Sequence, residues 1–120
     1  MERVLTESHP SDTTTVLTMV SRLDEVTSAE LHSRLTQLVA DNHIRVVLDL
    51  RSVPYIDSTG IKALVRGLTM MRGRGGWLKL VMPEWPEPLG PTPLRLVFEV
   101  HRTVETALAS DAPPTQREGR

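Results

Sequence analysis

The stretch Ile44-Arg45-Val46-Val47-Leu48-Asp49-Leu50 constrains the fold more than any other part of this chain. It is apolar except at Arg45 and Asp49. A run of this kind reads as a strand covered on both faces, which belongs in a parallel or mixed sheet flanked by helices. Pro54 and Asp57 punctuate the chain just after it, and from Ser58 the pattern turns helical: Ile61, Leu64, Val65, Leu68 and Met71 fall on one face, with Lys62, Arg66 and Thr69 away from it. A strand therefore runs through a short turn into a helix. The turn delivers Ser58 and Thr59 to the helix start, with Asp57 as the N-cap.

The remaining segments fit around this unit. Arg3 to Glu7 and Thr13 to Ser21, separated by the turn cluster Ser8-His9-Pro10-Ser11-Asp12, read as a hairpin. In the second of these strands Val16, Met19 and Val20 supply the apolar positions. Thr27-Ser28-Ala29-Glu30 has the form of a capping box, with Thr27 as N-cap. Leu31, Leu35, Leu38 and Val39 follow it at helical spacing, and that helix should end near Asp41-Asn42. Gly73-Arg74-Gly75-Gly76 closes the helix that begins at Ser58, and Trp77 to Met82 is another apolar strand. Five prolines crowd residues 83–93 together with Trp85, which argues against a long helix there. A turn or two of helix through Leu94, Val97 and Phe98, a short strand at Val100 and a closing helix over Thr103 to Ala109 complete the order, with Val104 and Leu108 inward. The alternation predicts an α/β layer of helices against a mixed sheet. Residues 111–120 are polar and read as a disordered tail.

Composition removes several classes of function. With 120 residues and 39% hydrophobic content, the chain suits one domain with one core. A net charge of −1 with scattered Lys and Arg provides no footprint for nucleic acid. No run approaches the length of a membrane helix, and the N-terminus lacks a signal-peptide apolar region, so no direct membrane insertion is expected. Zero cysteines exclude disulfides and thiolate chemistry and fit a cytoplasmic protein.

Ser58 is the residue with a chemical reading beyond capping. A phosphate there would face the positive end of a helix and its free N–H donors, so the fold should tolerate it. Its added charge would be felt by a docked partner. A nucleophile's role is disfavoured: Ile56 stands where a Gly-x-Ser-x-Gly motif needs glycine, and nothing pairs His9, His32, His43 or His101 with Ser58. No His/Asp/Glu spacing suggests a metal. Gly73-Arg74-Gly75-Gly76 follows a helix and lacks Gly-Lys-Ser/Thr, so it is no phosphate loop. Asp49, near a strand end, is placed to bond turn amides.

Val47-Leu48-Asp49-Leu50, Val53 and Ile56-Asp57-Ser58-Thr59-Gly60-Ile61 closely resemble the signature of STAS domains, and specifically of bacterial anti-sigma factor antagonists. Leu17 to Asp24, Arg74 to Val81 and Phe98 to Leu108 resemble flanking parts of the same family, so the likeness covers nearly the whole chain apart from the tail. It implies a STAS domain over residues 1–110: a mixed four- to five-stranded sheet with helices mainly on one face. It also implies a non-enzymatic partner-switching regulator of transcription and stress response. In that family the unmodified antagonist binds an anti-sigma factor that is also a serine kinase, and a sigma factor is freed. The kinase phosphorylates the serine matching Ser58, the antagonist lets go, and a serine phosphatase reverses the change. Ser58 is carried over as the phosphoacceptor, with Thr59 as the second choice. Asp57, Ser58, Thr59, Gly60, Lys62 and Asp24 would form the partner-binding surface. ATP and metal belong to the partner enzymes, so no cofactor is assigned to this chain, and relatives act as monomers or weak homodimers.

The chain departs from the family pattern in three places. Ser21 stands where the family has a turn glycine, the third-helix region is shorter and broken by prolines, and Thr92-Pro93-Leu94 replaces Thr-Gly-Leu. The runner-up role is an accessory or docking subunit of a lipid-transport ABC system, or a stressosome-type scaffold. A small-ligand sensor is a third reading, for which the sequence offers no polar pocket.

Overall fold

The computed structural model describes residues 4–82 and 97–109. The proline segment with Trp85 and Thr92-Pro93-Leu94, and the expected tail, lie outside the described residues. The chain opens with a hairpin of β1 (Leu5–Ser8) and β2 (Thr14–Met19). Ser11 shapes its turn by accepting from the amides of Thr13 and Thr14 at 3.3 and 3.2 Å.

Helix α1 spans Glu25–Ala40 and begins earlier than the Thr27 capping box would place it. Its N-cap is Asp24, whose carboxylate accepts from the amides of Val26 and Thr27 at 3.0 and 3.1 Å. Thr27 closes the box from the third helical position, where Oγ1 accepts the Asp24 amide at 2.9 Å. The physical reason is the charge: an ionised carboxylate at the positive end of a helix outcompetes a neutral hydroxyl three residues on. At the other end the helix stops at Ala40 with C-cap Asp41, and Asn42 takes the left-handed conformation with φ 65°.

The other elements among the described residues are β3 (Arg45–Asp49), α2 (Ser58–Gly73), β4 (Trp77–Val81), β5 (Glu99–His101) and α3 (Val104–Ala109). The five strands form one mixed sheet in the order β1-β2-β3-β4-β5, with β1 antiparallel to β2 and the other neighbours parallel. Strand alternation divides the core. Leu17, Met19, Val46, Leu48, Leu78 and Leu80 face α1 and α2, whose Leu31, Leu35, Leu38, Ile61, Leu64, Leu68 and Met71 complete one large cluster. Val16, Val47 and Val81 point to the other face and meet Ala107 of α3, with Val104 and Leu108 packed alongside. Among the described residues, two long helices thus cover one face and a short one the other. Lys79 lies on the α3 side and is 2% exposed, with Nζ donating to the Ala107 carbonyl at 3.0 Å and lying 3.6 Å from Glu99.

Two apolar positions are more open than their patterns predict. Val65 is 39% exposed because the stripe of α2 is narrow, and Val20 is 44% exposed because it follows the last residue of β2. Among the described residues no helix is long and apolar enough to cross a membrane.

Candidate functional site

The loops leaving β2 and β3 at their C-terminal ends are tied to each other. Leu23 and Ile56 form an isolated parallel bridge. The Leu23 amide donates to the Tyr55 carbonyl at 3.1 Å, and the Asp57 amide donates to the Leu23 carbonyl at 3.2 Å. Leu23 and Ile56 are both buried, so the tie has an apolar anchor on each side. The next residue in each loop, Asp24 or Asp57, caps the helix that follows. Asp24 and the 57–60 turn, distant in sequence, therefore share one end of the sheet.

Asp57 is extended, with φ −96° and ψ −175°, and its Oδ1 accepts the Gly60 amide at 2.9 Å. This is the cap expected from the sequence. Ser58 is the first residue of α2, and both Ser58 and Thr59 are exposed. Their amides have no hydrogen-bond partner among the described residues, so two donors at the positive end of α2 stay open. Gly60 is buried against the Leu23–Ile56 bridge, and Lys62 is exposed on the next turn. The structure thus brings together all six residues that the resemblance singled out. Asp49 stands apart from them at the end of β3, where its carboxylate accepts the Arg51 amide at 3.0 Å and pairs with the Arg51 side chain.

Sequence reasoning gave Val26 and Tyr55 no role here. Val26, in the first turn of α1, is 73% exposed, and Tyr55 beside the bridge is 43% exposed. The available signal for Val26 was its place off the Leu31-Leu35-Leu38 stripe, which leaves an apolar side chain with nothing to pack on.

Asp24 is the most perturbed carboxylate near the site. The Arg22 side chain, its Nε 2.6 Å from Oδ2, and then the Thr27 amide hold its pKa down to about 2 from an ordinary 3.8. At Asp49 burial pushes upward, but the Arg51 side chain and amide prevail and the pKa is lowered. The Arg34 side chain lowers Glu7 against a smaller opposing effect of burial. A carboxylate with a lower pKa in the fold than in the unfolded chain favours the fold while it is ionised. That contribution is complete above the ordinary value of 3.8 and fades as pH falls toward the folded value of about 2. The melting temperature should therefore fall modestly between pH 4 and pH 2, because solvent screens the exposed Arg22–Asp24 pair. Asp24→Asn, which keeps a capping oxygen, should shrink that fall, while Glu7 and Asp49 keep it from vanishing. Identical slopes for the two proteins in thermal melts across this range would refute the assignment.

No histidine hydrogen-bonds Ser58, and no group of three His, Asp or Glu side chains among the described residues is placed to hold a metal ion. The Ser58 hydroxyl stands exposed at the start of α2.

Comparison with known proteins agrees with this architecture. The sequence matches the STAS domain family over residues 4–107. A candidate anti-sigma factor antagonist from Thermotoga maritima superposes with a TM-score of 0.76 at 18% identity, covering 89% of this chain and 93% of that one. An anti-sigma factor antagonist from Mycobacterium paratuberculosis gives 0.69 at 24% identity, over 89% and 93% of the two chains. The Bacillus cell fate determinant SpoIIAA in its phosphorylated form gives 0.67 at 14% identity, over 88% and 96%. No curated protein sequence matches the chain. With the five-stranded mixed sheet, the helix pair on one face and a match across most of its length, this chain belongs to the STAS domain family.

Proposed function

We propose that this chain is an anti-sigma factor antagonist that binds an anti-sigma factor with serine kinase activity, frees a sigma factor, and is switched off by phosphorylation of Ser58. The observation that carries the reading is the state of the α2 N-terminus. Asp57 takes the Gly60 amide, while Ser58 stands exposed beside two open amides. A phosphate on Ser58 would meet these donors and the positive helix end without displacing a core contact. Asp57, Thr59, Gly60, Lys62 and Asp24 surround it as the docking surface, with Thr59 as the second-choice acceptor. The chain performs no chemistry of its own in this scheme: a cytoplasmic kinase adds the phosphate from ATP and a serine phosphatase removes it. A domain over residues 1–110, acting as a monomer or weak homodimer, suffices for this role.

The test starts with a pull-down from the native host, using Ser58→Ala as bait because that variant cannot be released by phosphorylation. A kinase of the histidine-kinase-like ATPase fold should be captured. With ATP it should add one phosphate, about 80 Da, to the parent chain and none to Ser58→Ala. Equal labelling of the two would refute Ser58 as the acceptor. Capture of a permease complex in place of a kinase would favour the transport-accessory role.

A further inference from the structure

The N-terminal halves of α1 and α2 leave a groove of about 320 Å³ between them, at the small end of volumes that hold ligands. Its α2 wall carries Thr59, Lys62 and Arg66, and its α1 wall Glu25, Ser28 and His32. Thr59 adjoins Ser58, so the groove starts at the candidate site and follows the helices away from it. Ala29 and Ala63 line its floor, so polar groups stand on the two walls of a largely apolar groove.

Its charges are unusual. Lys62 and Arg66 are four residues apart, hence neighbours on the helix surface, where like charges repel. Neither forms an ion pair with a described residue. An anion lying between them would turn that repulsion into two attractions. Glu25 is the one acidic residue of the lining, so two cations against one carboxylate leave it net positive. Across from them Ser28 is 4% exposed and its Oγ has no hydrogen-bond partner among the described residues. His32 Nδ1 is also buried without a partner. Buried polar atoms of this kind call for an explanation, and a ligand that completes them is one.

We propose that the groove receives a carboxylate side chain from the protein that docks over Ser58. An aspartate or glutamate on an acidic segment of that partner would accept from Lys62 and Arg66, and Ser28 and His32 on the opposite wall would donate once their side chains turn toward the groove. The inference rests on Ser58 being the centre of the partner surface, and it adds what the partner must carry. It also gives Arg66 and His32 a share in recognition that the motif around Ser58 does not.

The test uses the full chain and the kinase captured with the Ser58→Ala bait. Arg66→Glu should bind that kinase about tenfold more weakly than the parent, chiefly through slower association, and with a shallower dependence on salt. Arg74→Glu makes the same charge change outside the groove, past the end of α2, and should bind as the parent does. Arg66 is exposed, so the fold should survive; circular dichroism checks this, and Arg66→Gln reads the same contact if Arg66→Glu does not fold. If Arg66→Glu binds like the parent while the kinase still labels Ser58, the groove proposal is overturned and the switch stands. Equal weakening by Arg66→Glu and Arg74→Glu overturns it as well, because net charge alone would then account for the effect. Failure to capture any kinase removes both.

Discussion

Gly60→Ala should destabilise the chain by about 2–3 kcal/mol and lower its melting temperature by roughly 10 °C. A Cβ at position 60 would lie 2.7 Å from the Leu23 carbonyl oxygen, 2.8 Å from Ile56 Cγ2 and 2.9 Å from Leu23 Cγ. These are the atoms of the bridge that joins the two loops, and the Leu23 carbonyl also accepts the Asp57 amide. For the methyl group to fit, the cap of α2 must move away from the end of α1. Alanine gains about 1 kcal/mol over glycine in a helix interior, but the nearest atom is backbone and cannot swing aside, so the clash wins. Two other glycines in the same helix serve as internal standards. At Gly67 the nearest atom to the new Cβ, 2.7 Å away, is Leu35 Cδ1, the far end of a flexible side chain, so Gly67→Ala should cost less. At Gly73 nothing lies within 4 Å, and Gly73→Ala should raise stability by a few tenths of a kcal/mol, on the order expected near a helix end. Urea and thermal melts of the three variants should rank them Gly60, Gly67, Gly73 from least to most stable. Gly60→Ala melting alongside Gly73→Ala would mean that the loops are not as close as the bridge implies.

The parts of this fold that were legible in the sequence are those where one local rule acts alone. The apolar run before Asp49 has to be a covered strand, and Asp57 ahead of a helical pattern has to be a cap. The Leu31-Leu35-Leu38 stripe likewise had only one face to bury. Misreadings arose where two rules competed. Thr27 and Glu30 fit a capping box, yet Asp24 fits one too once Thr27 is allowed at the third helical position, and charge at the helix end decides for Asp24. Val65 satisfied the helical period but fell at the edge of a narrow stripe, where the period alone does not report how far the sheet extends. The groove could not be read at all. Glu25, Ser28 and His32 recur at helical spacing, as do Thr59, Lys62 and Arg66, but only the crossing of α1 and α2 turns two polar stripes into facing walls. Of the candidate site, the centre at Ser58 came from the motif, and the exposure of Val26 and Tyr55 near it came from the fold.

Ser58→Asp should weaken binding to the kinase by about 100-fold while leaving the melting temperature within about 2 °C of the parent. The two halves of this expectation have one cause, the position of residue 58 at the start of α2. Toward the fold, a negative charge in the first helical turn interacts favourably with the macrodipole, by about 0.3–1 kcal/mol. Asp57 next door already carries a carboxylate, and the repulsion between the two, screened by solvent at an exposed position, offsets much of that gain. Toward the partner, the same charge has no such compensation. It would be covered on docking, and it would stand one residue from the groove in which the partner's own carboxylate is proposed to bind, so like charges would meet in a contact that excludes water. Juxtaposition of that kind costs several kcal/mol, of which about 2.7 kcal/mol is enough for a 100-fold loss. Ser58→Asn separates charge from shape, because it has nearly the volume of aspartate and no charge. It should retain most of the affinity in calorimetric titration. If Ser58→Asn binds as poorly as Ser58→Asp, steric exclusion rather than charge operates the switch, and phosphorylation would act by bulk. If Ser58→Asp melts more than about 5 °C below the parent, a loss of over 1 kcal/mol for a chain of this size, then the α2 N-terminus does not tolerate the charge. Phosphorylation would then act by loosening the domain, and the unpaired amides of Ser58 and Thr59 would not be the phosphate's receptor.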